Sequence, residues 1–365
     1  MPNKIRLGLV GASLSSHWAS ESHFPALAAS PDVELTAVCT SKPESAEAAR
    51  VALGARLAFH DYREMVNSPE IDAVGVVLRV PQHYEPTKAA LEAGKHVYTE
   101  WPLARNTTEA EELAALARAS GVQTVVGLQS RLSPTLMYVK ELIESGYLGE
   151  VLSYNLSGFR YGGPSERPSS RTWLADAANG ANTLTIAFGH VIDTLRFVAG
   201  DFAQMRSLLS VQTPKWHETD TGRTVDVTAP DDVQVNGRLI SGAVASVHVA
   251  AAPWAGTGFR MEIYGRDGTM VVSNSISPQR GETLRLQAAR GTNELADLEI
   301  PGRFDFLPPD FPRGNPFNVG QLYSVFAEAI RTGNNAAPTF ETAVDLHRVL
   351  DDVTRSSDLG HETCV

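Results

Sequence analysis

Residues 71–104, IDAVGVVLRVPQHYEPTKAALEAGKHVYTEWPLA, constrain the fold of this chain more than any other stretch. They predict a buried strand from Ala73 to Leu78, a helix from about Tyr84 to Ala93 and a second strand from His96 to Thr99. This order, with an all-apolar first strand, indicates a parallel βαβ unit. Ligands of such sheets bind beyond the carboxyl ends of the strands. That rule predicts a cofactor site at the residues that end or follow the two strands: Leu78, Arg79, His83, Glu100 and Trp101.

Strands and helices alternate throughout residues 1–150, which predicts a doubly wound parallel sheet, an α/β Rossmann domain. The pattern changes at Gly149, and strand-like runs then dominate. We expect residues 151–318 to form an α+β domain with an open, mostly antiparallel sheet, in which Gly265 to Gly268 make a hairpin turn. Two helices in residues 319–365 are expected to pack back on the first domain.

Composition excludes several classes of partner. The chain has 42 Asp and Glu against 31 Lys and Arg, a net charge of −11, which is a poor match for nucleic acid or an anionic membrane. Neither a signal sequence nor a membrane span is evident. Two cysteines, Cys39 and Cys364, do not suggest a disulfide framework, so we expect a cytoplasmic protein. The ten histidines are scattered, and no metal site is predicted.

A dinucleotide signal follows the first predicted strand. The positions of a G-x-G-x-x-G fingerprint are Gly11, Ser13 and Ser16, with Leu14 in the same turn, so only the first glycine is present. The serine hydroxyls can donate to phosphate at a helix N-terminus, and the alternative is an ordinary tight turn. Thr40, Ser41 and Lys42 end the second strand, where an acid would bind the ribose of NAD. Two hydroxyls and a lysine favour NADP over NAD, unless Lys42 is only a solvated surface residue.

These pieces resemble the glucose-fructose oxidoreductase / inositol dehydrogenase / rhizopine-catabolism (Gfo/Idh/MocA) family. The matching stretches are KIRLGLVGAS, ELTAVC, IDAV, ALEAGKHVYTEWPLA, EAEELAALARASGVQTVVGLQSRLSP, KELIESGYLGEV and FGHVID. The resemblance implies a Rossmann domain plus an open sheet domain. It also implies an NAD(P)-dependent dehydrogenase of sugars, cyclitols or related polyols.

Two departures from the family pattern concern the chemistry. The family motif Glu-Lys-Pro reads Glu100-Trp101-Pro102 here, and the aspartate of Asp-x-Gly-x-His is replaced by Ile186, four residues before His190. The same departures resemble one branch, the fungal galactose-regulon repressors, which share EWxLA, GVQT and LQxRxSP with this chain. That branch binds a nicotinamide dinucleotide and regulates through a protein partner.

Four residues carry the predicted chemistry and cofactor contacts. His190 is the candidate general acid/base because histidine titrates near neutral pH; the alternative is a buried or substrate-binding histidine. Trp101 cannot transfer protons, and we expect its indole to stack on the nicotinamide or line the substrate pocket rather than serve as a core aromatic. The resemblance implies that Glu100 binds the cofactor ribose, and His83 either contacts the ribose or caps the following helix.

Several further residues are predicted contacts by position. Gln129 and Arg131 follow the fifth strand of the first sheet, where they can reach cofactor or substrate, respectively. The loop after the first strand of the second domain supplies three candidate substrate residues, each of which is alternatively a plain loop residue: Tyr161, Arg171 and Trp173.

Two functions remain open at this point, and a third possibility is an enzyme whose tightly held cofactor is reduced and reoxidised in one cycle. The first is an NAD(P)-dependent oxidoreductase that acts on a sugar- or polyol-like small molecule. The second is a non-catalytic NAD(P)-binding sensor that docks a protein partner. The run GAVASVHVA at residues 242–250 is too apolar for an exposed sheet face, which predicts a homo-oligomer formed through the open sheet.

Overall fold

The computed structural model describes residues 3–163, 165–280, 283–334 and 336–360, and the backbone of residues 363–364. The chain forms two compact units. Unit 1 comprises Met1–Gln129 and Asp305–His347, and unit 2 comprises Ser130–Phe304 and Arg348–Val365. The units therefore divide the chain at residues 129, 304 and 347, rather than at the predicted 150 and 318.

The sheet of unit 1 is fully parallel, with the strand order β3-β2-β1-β4-β5-β6 within the described residues. The order reverses between β1 and β4, as the predicted doubly wound fold requires. The strands, nearly all buried, are β1 (Ile5–Val10), β2 (Val33–Cys39), β3 (Leu57–Phe59), β4 (Ala73–Val76), β5 (His96–Thr99) and β6 (Thr124–Val126).

Helices of unit 1 connect these strands and are joined by two later helices. They are α1 (Phe24–Ala29), α2 (Pro43–Leu53), α3 (Tyr62–Val66), α4 (Tyr84–Glu92), α5 (Thr107–Ser120), α8 (Asn315–Thr332) and α9 (Phe340–Leu359), the last up to His347. Local sequence explains the ends of α5, because the Asn106 side chain caps its first turn and Gly121 ends it in the left-handed conformation. Helix α8 packs on α1 and β2, and Arg331 of α8 pairs with Asp32 at 2.8 Å.

Unit 2 is built on a nine-stranded sheet with the order β17-β16-β15-β14-β7-β13-β12-β9-β18 in the described residues. Only β7 and β13 pair in parallel, so the sheet is mostly antiparallel, as predicted. Its strands are β7 (Val151–Tyr161), β9 (Phe202–Ser210), β12 (Asp232–Leu239), β13 (Val244–Ala252), β14 (Gly258–Gly265), β15 (Gly268–Asn274), β16 (Arg285–Arg290), β17 (Ala296–Asp297) and β18 (Thr363–Cys364). A small sheet consists of β8 (Glu166–Arg167), β10 (Lys215–Glu218) and β11 (Thr224–Asp226).

One face of the large sheet is covered by helix α7 (Gly189–Ala199). A Cβ added to Gly158 of β7 would lie 3.3 Å from Val191 of α7, which shows how closely the helix approaches the sheet. Helix α6 (Pro134–Glu144) packs against α7. The end of α9 lies against β9, where the Ser357 hydroxyl accepts from the Leu209 amide at 3.0 Å.

Neither unit contains, in its described residues, a helix with the length and apolar character of a membrane span. The Cys39 thiol is buried and forms no disulfide; burial raises its pKa to about 12, so it is protonated at neutral pH. The side chain of Cys364 lies outside the described part of the chain.

Candidate functional site

The turn after β1 is shaped around Gly11. Its φ is +91°, and a Cβ there would lie 2.1 Å from the carbonyl oxygen of Val77, so a side chain has neither the backbone conformation nor the space it needs. The amides of Gly11 and Ala12 donate to the Cys39 carbonyl at 3.0 and 3.2 Å. The turn therefore joins the ends of β1, β2 and β4, where the strand order reverses.

The rest of this turn faces solvent. Leu14 is 46% exposed, and the hydroxyls of Ser13 and Ser15 lie 2.9 Å apart on the surface. Ser16 closes the turn by donating its amide to the Ser13 carbonyl at 2.9 Å, and helical structure begins at His17. An exposed turn with several hydroxyl groups at a helix N-terminus fits the pyrophosphate of a dinucleotide.

At the end of β2 the three predicted residues differ in what they can offer. The Thr40 hydroxyl lies 2.6 Å from that of Ser45 and is engaged locally. Ser41 and Lys42 are exposed, and Lys42 is the residue before α2. The charge available to a ribose phosphate at this strand end is therefore the Lys42 ammonium group.

His83 joins the ends of two strands. It is 1% exposed, and its ring nitrogens lie 2.7 Å from the Pro102 carbonyl oxygen and 3.0 Å from that of Leu78. Burial lowers its pKa. Its side chain does not cap α4, and both ring nitrogens face the protein, which favours a structural role over a ribose contact. Arg79, nearby, is exposed.

Glu100 lies at the centre of a buried hydrogen-bond network. Its carboxylate accepts from the Trp18 indole at 2.9 Å and from the Tyr98 hydroxyl at 2.7 Å, and it lies 3.0 Å from Nε2 of His23. The other His23 nitrogen lies 2.8 Å from the hydroxyl of Tyr323 in α8. These protein groups compensate the burial of the carboxylate, which is only 9% exposed.

Sequence reasoning assigned Glu100 to this strand end but missed its partners Trp18, Tyr98 and His23. Burial, together with the Glu100 charge, raises the pKa of both Tyr98 and Tyr323 well above the ordinary value, so both phenols stay protonated. Trp18 directly precedes a π-helical stretch, Ala19–His23, which ends at His23 and leads into α1. Nothing in the local sequence pattern signals such a turn, which is frequent at functional sites.

Trp101 is packed inside unit 1. It is 4% exposed, and its ring centroid lies 4.8 Å from that of His347 in α9. His347 is equally buried, and burial lowers its pKa to about 4. This environment is what the core-aromatic alternative predicts, and it leaves the indole little surface for a nicotinamide. The predicted cofactor residue Gln129 is also buried, and its Oε1 has no hydrogen-bond partner among the described residues.

In unit 2, His190 lies in the first turn of α7 and is 5% exposed. The helix is preceded by a second π-helical stretch, Thr183–Phe188, which contains Ile186. Asn182 and Thr185 form a reciprocal capping box that fixes the start of this stretch.

Arg131 is held by a residue that the sequence analysis did not assign. Its Nε lies 2.9 Å from Oδ2 of Asp193 and its Nη2 2.6 Å from Oδ1, a two-point ion pair. Asp193 is 1% exposed and lies three residues after His190 on α7. The FGHVID stretch contained this acid, but its partner could not be identified without the fold.

The three loop residues differ in accessibility. Tyr161 is 63% exposed at the end of β7, and Arg171 is exposed in the following 3-10 segment, Ser169–Ala175. Trp173 is half-buried, and its carbonyl accepts from Asn179 at 2.6 Å. Within the described residues, no group of three or more His, Cys, Asp or Glu side chains is placed to hold a metal ion.

Two family models match this chain. Residues 5–128 match the oxidoreductase family with an NAD-binding Rossmann fold. Residues 134–274 match the C-terminal domain of Gal80p.

Individual proteins give the same result. Dehydrogenase aclE of Aspergillus oryzae is 36% identical, with 100% of this chain and 99% of that protein aligned. The galactose/lactose metabolism regulatory protein GAL80 of Saccharomyces cerevisiae is 32% identical over 66% of this chain and 59% of its own length. A structure of levoglucosan dehydrogenase in complex with NADH and L-sorbose shares the fold, with a TM-score of 0.86, 23% identity and coverage of 100% and 99%. The chain therefore belongs to the Gfo/Idh/MocA family of NAD-binding oxidoreductases, in a branch similar to Gal80.

Proposed function

We propose that the chain is an NAD(P)-dependent oxidoreductase that acts on a sugar, cyclitol or related polyol. The observation that carries this proposal is the Gly11 turn, a solvent-facing βα turn at the point where the parallel strand order reverses. The reaction class is supported by the end-to-end similarity to a protein named a dehydrogenase.

The chain's own residues suit a dinucleotide in three places. The Ser13 and Ser16 hydroxyls and the helix that begins at His17 hold the pyrophosphate. Lys42, with Ser41, binds a 2′-phosphate and favours NADP over NAD. Gln129 offers a buried amide oxygen that has no partner in the described residues. When bound, the nicotinamide supplies the hydride acceptor or donor.

His190 is the proposed proton acceptor for the substrate hydroxyl. Trp101 and Ile186 stand where the family has lysine and aspartate, and neither side chain can transfer a proton. Histidine is suited to this role at neutral pH. The Arg131–Asp193 ion pair fixes the helical turn that carries His190 and so positions its imidazole.

The similarity to GAL80, whose name describes a regulatory protein, supports a second candidate. In that case the chain binds NAD(P), lacks turnover and docks a protein partner. The loss of the family's lysine and aspartate favours this alternative, whereas the end-to-end similarity to a protein named a dehydrogenase favours the enzyme.

An absorbance screen distinguishes the two. NADP and NAD reduction is measured with a panel of sugars, cyclitols and polyols, for the natural protein and for His190→Gln. Turnover that His190→Gln reduces at least about 100-fold supports the enzyme. Tight coenzyme binding without turnover on the whole panel contradicts it and supports the sensor. His60→Gln, a change at an exposed histidine of unit 1, is the matched control.

We also propose a homo-oligomer formed through the sheet of unit 2. In β13 the run that appeared uniformly apolar is divided, with Val247 and Val249 buried and Val244 46% exposed. Leu208 and Tyr264 align with the same side of the sheet and are 57% and 40% exposed. Light scattering tests this: a monomer at micromolar concentration contradicts the proposal.

A further inference from the structure

Four arginines of unit 2 lie at the same end of its large sheet. Arg160 is near the end of β7, Arg167 forms part of β8, Arg171 follows in the 3-10 segment, and Arg280 closes the loop after β15. The strand register explains this grouping. Gly158 of β7 pairs with Phe259 of β14, and Phe259 pairs with Asn274 of β15, so the end of β7 and the end of β15 lie at the same end of the sheet. This is an unusual concentration of one charge in a chain with a net charge of −11.

Local hydrogen bonds fold the connecting loop. The guanidinium of Arg167 donates to the carbonyl oxygens of Gly162 and Glu166, and it stacks over the Trp216 ring at 4.8 Å. The loop that begins after Tyr161 therefore turns back on itself, and Arg171 lies near enough to Arg160 for the two charges to repel each other. The Asn274 amide donates to the Arg280 carbonyl at 3.3 Å, which fixes the other loop.

Arg160 projects from the face that carries α7. Side chains alternate along a strand, so Arg160 shares its side with Gly158, which lies under Val191. Val191 is the neighbour of His190 in the first turn of α7. Arg160 comes two residues after Gly158 in β7. It therefore lies beside the start of α7, the helix that carries the proposed acid/base His190.

Arg160 and Arg171 have no carboxylate partner in the part of the chain that the structure describes. Most other arginines do, for example Arg6 with Asp72 and Arg285 with Asp297. The Arg160 side chain is partly exposed to solvent, although protein atoms surround much of its guanidinium group. Burial and the like charges of Arg280 and Arg171 lower the pKa of Arg160. Positive groups that repel one another are stabilised when an anion binds between them.

A second observation comes from the Arg280 loop. Gln279 is 7% exposed, and neither its Oε1 nor the Ser277 hydroxyl has a hydrogen-bond partner among the described residues. Buried polar atoms of this kind need a partner. Guanidinium groups match the planar fork of carboxylate and phosphate oxygens, and an amide beside them suits a neighbouring hydroxyl group.

We propose that Arg160 and Arg171 recognise an oxyanion carried by the substrate, a carboxylate or phosphate group on a sugar- or polyol-like molecule. This inference rests on the proposed oxidoreductase function and narrows its substrate class. Arg167 and Arg280 flank the site and add positive potential. Neutral sugars lack the group that these arginines bind.

The experiment uses the full chain with saturating NADP. Calorimetry and turnover are measured with glucose, glucuronate and glucose 6-phosphate, which separates carboxylate from phosphate recognition. We expect at least one acid to bind about 10-fold or more tightly than glucose, as charge-assisted hydrogen bonds predict. Higher salt should weaken that binding.

Variants assign the effect to the arginines. Arg160→Gln and Arg171→Gln should each remove the preference for the acid, and Arg171→Lys should restore part of it. Arg206→Gln, at an exposed position of β9, is the matched control and should change nothing. Thermal unfolding of each variant excludes a folding defect as the cause.

The outcomes separate the two proposals. Turnover of neutral sugars with no preference for acids overturns the oxyanion site and leaves the oxidoreductase intact. Acid binding that depends on Arg160 and Arg171, without coenzyme turnover, supports the oxyanion site and contradicts the oxidoreductase. Acids that bind equally well to Arg171→Gln and the natural protein overturn the inference.

Discussion

The guanidinium of Arg131 and the carboxylate of Asp193 form a two-point ion pair one helical turn after His190. The pair ties the start of α7 to the segment that follows β6. Because the acid is 1% exposed, removal of its charge breaks a two-point ion pair in a largely buried position.

Asp193→Asn should therefore lower kcat about 10-fold with little change in KM, since the imidazole of His190 loses its support. The free energy of unfolding should fall by about 3 kcal/mol. Steady-state kinetics and urea unfolding measure both. Asp201→Asn breaks the ion pair of Arg196 at the opposite end of α7 and should leave kcat unchanged. Equal kinetic effects of the two variants would contradict a positioning role.

Trp18→Phe should destabilise the protein by about 2 kcal/mol, because it removes an N–H donor from a buried carboxylate and keeps the aromatic ring. The measurement is urea unfolding of Trp18→Phe, Glu100→Gln and the double variant. A positive coupling energy between the two changes is expected. If the single effects simply add, the indole does not stabilise the Glu100 charge.

Gly11→Ala should cost about 3 kcal/mol or more, since the new methyl group meets the Val77 carbonyl in a left-handed backbone. It should also abolish coenzyme binding in calorimetry. Gly54→Ala is matched, because Gly54 has a φ of +69° with nothing within 4 Å of the added Cβ; it should cost only about 1 kcal/mol. Similar losses for both variants would show that the close approach to Val77 is unimportant.

Lys42→Ala should weaken NADP binding about 10-fold and leave NAD binding unchanged, because only NADP carries the 2′-phosphate. Calorimetry with both coenzymes tests this. Lys215→Ala in unit 2, where the lysine pairs with Asp226, is the control. Equal weakening of NAD and NADP would place Lys42 elsewhere in the binding site.

His347 should make the protein sensitive to acid. Its pKa is about 4 in the folded chain and about 6.5 in an unfolded chain, so the unfolded state binds more protons between these values. Stability therefore falls as the pH drops from 6.5 towards 4. Between pH 7 and pH 5 the natural protein should lose about 2 kcal/mol more than His347→Gln. An identical pH dependence of the two would mean that His347 titrates normally.

The predictable parts of the fold were those that depend on local pattern. An all-apolar β4 and β5 with a helix between them identify the parallel sheet, and Glu100 at the end of β5 follows from that register. The strands β8, β10 and β11 were missed because two to four mostly polar residues show no alternation. The π-helical stretches were missed because composition does not distinguish them from α-helix.

The remaining contacts could not be predicted because they join residues that are far apart in the sequence. His23 bonds to a tyrosine 300 positions later, and Arg131 to an acid 62 positions later. No local periodicity reports such pairs. Burial of Trp101 against His347 likewise depends on α9, so the sequence favoured the cofactor-facing role whereas the structure packs the indole in the core.

The bond between His23 and Tyr323 also has a consequence for biosynthesis. Unit 1 is split in the sequence, and Ser130–Phe304 are translated between its two segments. During translation, the core of the first segment of unit 1 therefore remains incomplete until the helix that contains Tyr323 has left the ribosome. The first segment of unit 1 therefore cannot complete this hydrogen bond while the intervening residues are translated.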